Sequence, residues 1–173
     1  DQVESTLKST TRAFPQTCTG CGTGIVDANA AVQAAMALAS NPPVDPYATQ
    51  KADLSINQTL CNSKKLLNYS YVLEQKTGTA ASMILKITVR SGSVYSAVNM
   101  STGRTLASKD LKTYGKTINQ LFTAISDAIT AKAATLNAAY DVTLGYPVNV
   151  YIDKSSTVAG DEVTFKASNF LAL

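Results

Sequence analysis

The sequence contains no histidine and no tryptophan among its 173 residues, and only three cysteines. Without histidine, neither a Ser-His-Asp triad nor a Cys-His pair can be assembled within the chain. A zinc site built on imidazole ligands is excluded for the same reason. We therefore assign no catalytic residue, no metal ligand and no cofactor to this chain.

Charge is also scarce and is not clustered. Charged residues make up 16% of the chain, the net charge is +3, and Lys64-Lys65 is the only adjacent basic pair. A nucleic-acid-binding protein normally shows a basic stripe. No apolar run approaches the ~18 residues that a membrane-spanning helix needs. The sequence thus predicts no nucleic-acid partner and no membrane span.

Two short helices are predicted in the first 39 residues. The first runs from Asp1 to about Arg12 and ends before Pro15, because the residue before a proline is disfavoured in the helical region. The second begins after Asp27, an N-cap residue, and continues to Ala39. Its apolar residues at helical spacing are Val32, Ala35, Met36 and Ala39. A piece of this size cannot bury a core of its own, so it requires a partner surface.

The motifs of this segment resemble those of a known family. Residues 7–15 read Leu-Lys-Ser-Thr-Thr-Arg-Ala-Phe-Pro, and residues 18–28 read Cys-Thr-Gly-Cys-Gly-Thr-Gly-Ile-Val-Asp-Ala. Followed by an alanine-rich helix, this order resembles the C-terminal end of secreted bacterial subtilisin-like serine proteases. The resemblance covers residues 1–39 and includes none of the family's Asp, His or Ser catalytic motifs.

The resemblance implies a hydrolase context but no activity for this chain. The chain is then the non-catalytic C-terminal portion of a secreted serine endopeptidase, extracellular or periplasmic, whose partner is the remainder of the catalytic domain. The alternative is a stand-alone secreted binding or inhibitor-like module that docks on another protein chain through residues 1–39.

The cysteines carry the most reactive motif of the sequence. Cys18 and Cys21 lie three positions apart in a glycine-rich loop, where a small structural disulfide suits a secreted chain. A redox dithiol would prefer its first cysteine at a helix N-terminus, and it remains the alternative. Cys61 is the odd cysteine, which we expect to be a free buried thiol unless it pairs with another chain.

A proline-rich stretch divides the chain. Residues 40–50 include Pro42, Pro43 and Pro46, a composition typical of a semi-rigid linker. The predicted domains are therefore residues 1–39, a linker of residues 40–50, and an accessory domain of residues 51–173. The start of that last domain, residues 51–60, is predicted as an edge strand.

The second domain is predicted to have an α+β fold, with an antiparallel meander sheet covered by one long helix. Alternate residues along several predicted strands share one face, and all of them except Ser96 are apolar or aromatic. They are Tyr69, Tyr71 and Leu73; Met83, Leu85, Ile87 and Val89; Val94, Ser96, Val98 and Met100; Tyr146, Val148, Val150 and Ile152; and Val163, Phe165 and Ala167. The helix spans Thr117 to about Asn137, and Thr117-x-x-Gln120 is a capping-box pattern.

This region resembles a second family. The pattern Tyr140-Asp141-x-x-x-Gly145-Tyr146-Pro147-x-x-Val150-x-Ile152-Asp153, followed by Asp161-Glu162-Val163, is similar to uncharacterised domains of secreted bacterial proteins. The resemblance covers residues 66–170 and implies a fold and a secreted context, with no known activity. Asp153, Asp161 and Glu162 also bracket a polar loop; their spacing matches no calcium-binding loop, so a solvated turn is the favoured interpretation and calcium ligation the minor alternative.

Overall fold

The computed structural model describes residues 2–17, 19–40 and 44–173. These residues form five α-helices and six β-strands. In chain order they are α1 (Gln2–Ser9), α2 (Ala28–Ser40), α3 (Ala48–Ser63), β1 (Tyr69–Thr77), β2 (Met83–Arg90), β3 (Ser93–Asn99), α4 (Ser108–Tyr114), α5 (Ile118–Thr130), β4 (Thr135–Tyr140), β5 (Pro147–Asp153) and β6 (Val163–Ala172). The chain divides into two compact units, residues 1–45 and residues 46–173.

The first unit consists of α1, α2 and the loop that joins them. Asp27 caps α2, since its carboxylate accepts a hydrogen bond from the N–H of Ala30 at 3.0 Å. Glu4 and Lys8 form an ion pair of 2.6 Å on the exposed side of α1. An exposed pair of this kind contributes little to stability, so packing has to hold the helices in place.

The second unit is built on one antiparallel sheet with the strand order β3-β2-β1-β6-β5-β4. It consists of two meanders, β1-β2-β3 and β4-β5-β6, which are joined where β1 pairs with β6. The α+β class and the antiparallel meander are thus confirmed. The inward-facing residues of β1 and β2 are fully buried, as the alternation predicted: Tyr69, Tyr71 and Leu73 on β1, and Leu85, Ile87 and Val89 on β2.

Helix α5 covers one face of the sheet with a continuous apolar stripe. The buried residues of the stripe are Ile118, Leu121, Phe122, Ile125, Ala128 and Ile129. The predicted capping box is present: the N–H of Gln120 donates to Thr117 Oγ1 at 3.2 Å, and the N–H of Thr117 donates to Gln120 Oε1 at 2.7 Å. These two bonds satisfy backbone donors that the first turn of a helix otherwise leaves open.

The predicted length of this helix was wrong. The helix ends at Thr130, because Lys132 adopts a left-handed conformation with φ of +55° and the N–H of Ala133 bonds back to the carbonyl of Ala128. This is a Schellman ending with lysine where glycine is usual. Residues 135–140 then form β4, so Leu136 is buried on a strand and not on the helix.

The edge strand predicted for residues 51–60 was also wrong, because these residues belong to α3. Ala52 and Ile56, which suggested alternation, are exposed, whereas Leu54 and Cys61, seven positions apart, face the core. A spacing of seven places two residues on one face of a helix. Helix α3 begins at Ala48, inside the stretch predicted as linker.

Candidate functional site

An apolar groove of about 560 Å³ lies between α1 and α2 in the first unit. We call it the α1–α2 groove. It is lined by Gln2, Val3, Thr6, Leu7, Ala31, Val32, Ala35, Leu38 and Ala39. Seven of these nine residues are apolar and none is charged, so the groove can bind an apolar surface but offers no acid, base or nucleophile.

Two backbone hydrogen bonds join the ends of the loop between α1 and α2. Arg12 and Ile25 exchange bonds of 3.0 and 2.9 Å. Gly24 makes this approach possible, since a Cβ at that position would lie 2.6 Å from the carbonyl oxygen of Arg12. Gly24, the second glycine of the Cys-Gly-Thr-Gly segment, is therefore required by the close approach of the two backbone segments.

The groove is open and its helices are poorly covered. Helix α1 has no buried residue, and Ala31 is the buried residue of α2 among those described. Val3 and Val32, which line the groove from α1 and α2, are 67% and 57% exposed. Large apolar side chains at this exposure, gathered on one surface, mark an interaction site more often than a finished core.

The helical spacing of apolar residues predicted an apolar surface on α2, but it did not predict correctly which side of the helix faces α1. Val32, Ala35 and Ala39 line the groove as their spacing predicted, but Met36 does not, and Leu38 does. Helix α2 contains alanine on every side, so hydrophobic periodicity could not reveal which side meets α1.

The predicted disulfide of Cys18 and Cys21 stays a prediction, since Cys18 lies outside the described residues. Cys21 is exposed. Cys61, in the second unit, is a buried free cysteine, and burial raises the pKa of its thiol. A thiol of raised pKa is a weak nucleophile at neutral pH.

The acidic loop after β5 does not gather a set of metal ligands. Asp153 accepts a hydrogen bond from the N–H of Ser155 at 3.2 Å and so stabilises a turn. Asp161 Oδ1 is buried without a hydrogen-bond partner. Across the described parts of the chain, no three His, Cys, Asp or Glu side chains come together in a way that could hold a metal ion.

The second unit is thus an antiparallel sheet packed against helices. Residues 53–172 match a family described as a family of unknown function, DUF6174. The chain belongs to this family. Within the residues that the structure describes, no helix has the length and apolar character needed to cross a membrane.

The family match begins in α3 and ends in β6, so it covers most of the second unit. It confirms the prediction that an uncharacterised domain family occupies this part of the chain. No curated protein matches the chain.

Proposed function

We propose that this chain is the non-catalytic C-terminal portion of a secreted subtilisin-like serine endopeptidase. In this proposal residues 1–45 complete the core of the catalytic domain, and residues 46–173 form an accessory domain. The observation that carries the proposal is the open α1–α2 groove, whose apolar residues have no cover within their own unit.

The occupant is inferred from the sequence of the helices that form the groove. Their order, the Gly-Thr-Gly-Ile-Val-Asp-Ala segment and the alanine-rich α2 resemble the end of a subtilisin-like catalytic domain. Burying apolar surface contributes about 25 cal/mol per Å², so covering the exposed groove residues Val3, Val32 and Leu38 would supply several kcal/mol. Small alanine side chains on α2 allow another body to pack closely against the helix.

The proposal places no chemistry on this chain. Because it has no histidine, the chain alone should not react with a fluorophosphonate probe that labels activated serines. The longer product of the same gene should react with the probe if the catalytic body precedes residue 1. Labelling of the 173-residue chain would contradict the proposal.

A matched pair of variants tests the role of the groove. Val32→Asp places a charge in the groove, whereas Gln33→Glu adds the same charge at the neighbouring exposed position on α2. In the longer gene product, we expect Val32→Asp to reduce the yield of active protease about tenfold or more, because a buried unpaired carboxylate destabilises the core. Gln33→Glu should leave the yield within about twofold, as surface changes usually do.

The same pair separates the proposal from the stand-alone module. If the gene product has no protease body, but Val32→Asp disrupts a complex with a separately encoded chain, residues 1–39 are a docking arm and the endopeptidase proposal fails. Equal effects of the two variants would show that the α1–α2 groove is not covered at all.

A further inference from the structure

A second groove, of about 560 Å³, lies between β3 and α4 in the second unit. We call it the β3–α4 groove. Val94 lines it from β3, Leu111 and Lys112 line it from α4, and Thr117 and Gln120 lie at its end beside α5. All of these residues belong to residues 46–173, so binding at this groove does not depend on the proposed protease context.

The first half of β3 has a free outer edge along this groove. In the second half of the strand that edge is occupied, since the N–H of Leu106 donates to Ala97 and the N–H of Asn99 donates to Arg104, both at 2.9 Å. In the first half, the pairing of β2 with β3 shows where the backbone of Val94 points. Ser91 and Gly92 have φ of +49° and +74°, which is the pattern of a two-residue type I′ hairpin loop.

In such a hairpin the residues that flank the loop, Arg90 and Ser93, exchange both hydrogen bonds, and the next pair is not hydrogen-bonded. Val94 is in that next pair, opposite Val89. Its N–H and C=O therefore point away from β2. Among the hydrogen bonds found between described residues outside the sheet and helices, none uses these two groups.

The floor of the groove is apolar, and the buried Gly115 closes it where α4 ends against β3. Val94 and Leu111 are partly buried against the core. A Cβ on Gly115 would lie 2.6 Å from the carbonyl oxygen of Leu111 and 3.1 Å from Val94 Cγ1, so the chain can pass this close to β3 only with glycine at this position. Val94 and Leu111 thus offer an apolar surface to the groove.

The charge of the groove is positive. Lys112 is the single charged side chain among its described lining residues. Thr117 and Gln120 are already hydrogen-bonded to each other's backbone in the capping box. A ligand therefore meets a free strand edge, an apolar floor and one cation.

We propose that the β3–α4 groove binds an extended peptide segment, whose backbone pairs with Val94 at the edge of β3 and whose acidic residue faces Lys112. Adding a strand to an exposed sheet edge is an established mode of peptide recognition, in which main-chain bonds supply affinity and alternate side chains supply specificity. An apolar residue of the peptide packs against Val94 and Leu111 on this floor.

The test starts with random decapeptides displayed on phage and selected on the intact 173-residue protein. We expect the selected peptides to share an apolar residue and an acidic residue a few positions apart. A synthetic peptide of the selected sequence is then labelled with fluorescein, and its affinity is measured by fluorescence polarisation. Lack of enrichment over an immobilised unrelated protein would overturn the proposal.

Backbone pairing is tested at Val94 itself. Val94→Pro removes the outward N–H without removing a hydrogen bond of the fold, while Val94→Thr keeps that N–H in a side chain of similar shape. We expect Val94→Pro to raise the Kd of the peptide about tenfold, because one hydrogen bond to the peptide backbone is lost. Val94→Thr keeps this bond and should raise the Kd no more than about threefold. Circular dichroism and thermal unfolding establish that both variants fold. Equal affinities of two folded variants would overturn strand pairing.

The charge is tested by a second matched pair. Lys112→Glu should weaken binding of the acidic peptide about fivefold at low salt, because it places like charges together. Lys109→Glu, on the same helix but outside the groove lining, should change it less than about twofold. If Val94→Pro instead dissociates a dimer of the protein, seen by light scattering, the occupant is a second copy of the chain and the peptide proposal is wrong.

Discussion

Two tyrosine hydroxyl groups connect the sheet to the start of α5. The hydroxyl of Tyr69 accepts a hydrogen bond from the N–H of Ile118 at 2.9 Å. The hydroxyl of Tyr71 donates to the carbonyl of Lys116 at 2.6 Å. Both side chains are almost wholly buried. They therefore fix the position of the capping box, and with it one end of the β3–α4 groove.

Burial of these hydroxyl groups makes the stability of the fold sensitive to alkaline pH. Desolvation raises the pKa of Tyr69 from 10.0 to about 12, although the bond from Ile118 acts in the opposite direction. Between these two values the folded chain keeps a proton that the unfolded chain has lost, so the free energy of unfolding falls as pH rises. Below pH 10.0 this contribution to stability is complete.

We therefore expect urea-induced unfolding to require progressively less urea as the pH is raised from 10.0 to about 12. Tyr69→Phe should be less stable at neutral pH by about 1 kcal/mol, because Ile118 loses its acceptor, and its stability should fall less steeply at alkaline pH. Tyr95→Phe is the control, since Tyr95 is 61% exposed and its ring contact with Arg90 survives the change. Parallel pH profiles of the wild type and Tyr69→Phe would contradict this assignment.

At the scale of elements, the strands with one buried face and the start of α5 could be predicted from the sequence. Buried residues recur at every second position in β2 and over shorter stretches of β1, β5 and β6, and the capping box depends only on residues three positions apart. The end of α5 could not be predicted, because Lys132 occupies the left-handed position after the helix. A glycine at this position would have indicated a helix end in the sequence. Helix α3 could not be recognised either, since its buried face is narrow. The exposed Ile56 lies two positions from Leu54, and this spacing resembles the alternation of a strand.

The free edge of β3 could not be predicted from the sequence for a different reason. The register of β2 and β3 shifts between Thr88 and Val89, so an extra residue on β3 changes which side chains face inward. Ala97 is buried, whereas the alternation predicted Val94, Ser96, Val98 and Met100 on one face. A bulge is a property of the paired strands, and neither strand reveals it alone.

Packing of α3 against the loop between β4 and β5 depends on Gly145. This residue has φ of +75°, and a Cβ there would lie 2.5 Å from the carbonyl oxygen of Asn57 and 3.1 Å from Leu60 Cβ. Gly145→Ala should therefore lower the free energy of unfolding by about 2 kcal/mol or more, through backbone strain and displacement of α3. Chemical denaturation measures the loss.

Gly103→Ala is the matched control for this prediction. Gly103 has a similar φ of +69°, but no heavy atom lies within 4 Å of the position of its missing Cβ. It should show the conformational cost alone, about 1 kcal/mol. If the free energy of unfolding falls equally in the two variants, the close approach of α3 to the loop contributes nothing to stability.

At the scale of the whole molecule, the two units differ in how much of their apolar surface they bury. The second unit contains a continuous core that includes Leu73, Leu85, Phe122 and Val150. The first unit buries Ala31 alone among its described hydrophobic residues. We infer that residues 46–173 fold independently and that residues 1–45 depend on what covers the α1–α2 groove.

Two truncated chains test this inference and also locate the boundary of the domain. Residues 46–173 retain α3, and the thermal midpoint of this fragment should lie within about 2 °C of that of the full chain, because no core residue is lost. Residues 66–173 lack α3 and the preceding Tyr47, and so lose the contacts of Tyr47, Leu54 and Cys61 with the core. Losing these contacts costs about 3 kcal/mol or more, so the midpoint should fall by roughly 10 °C.

The comparison of the two fragments decides between two views of the domain. If residues 66–173 are as stable as residues 46–173, α3 belongs with the connection between the units, and the domain begins at its first strand. If both fragments are less stable than the full chain by the same amount, residues 1–45 contribute to the second unit. The predicted result makes α3 the first element of the domain, which is consistent with a family match that begins within this helix at residue 53.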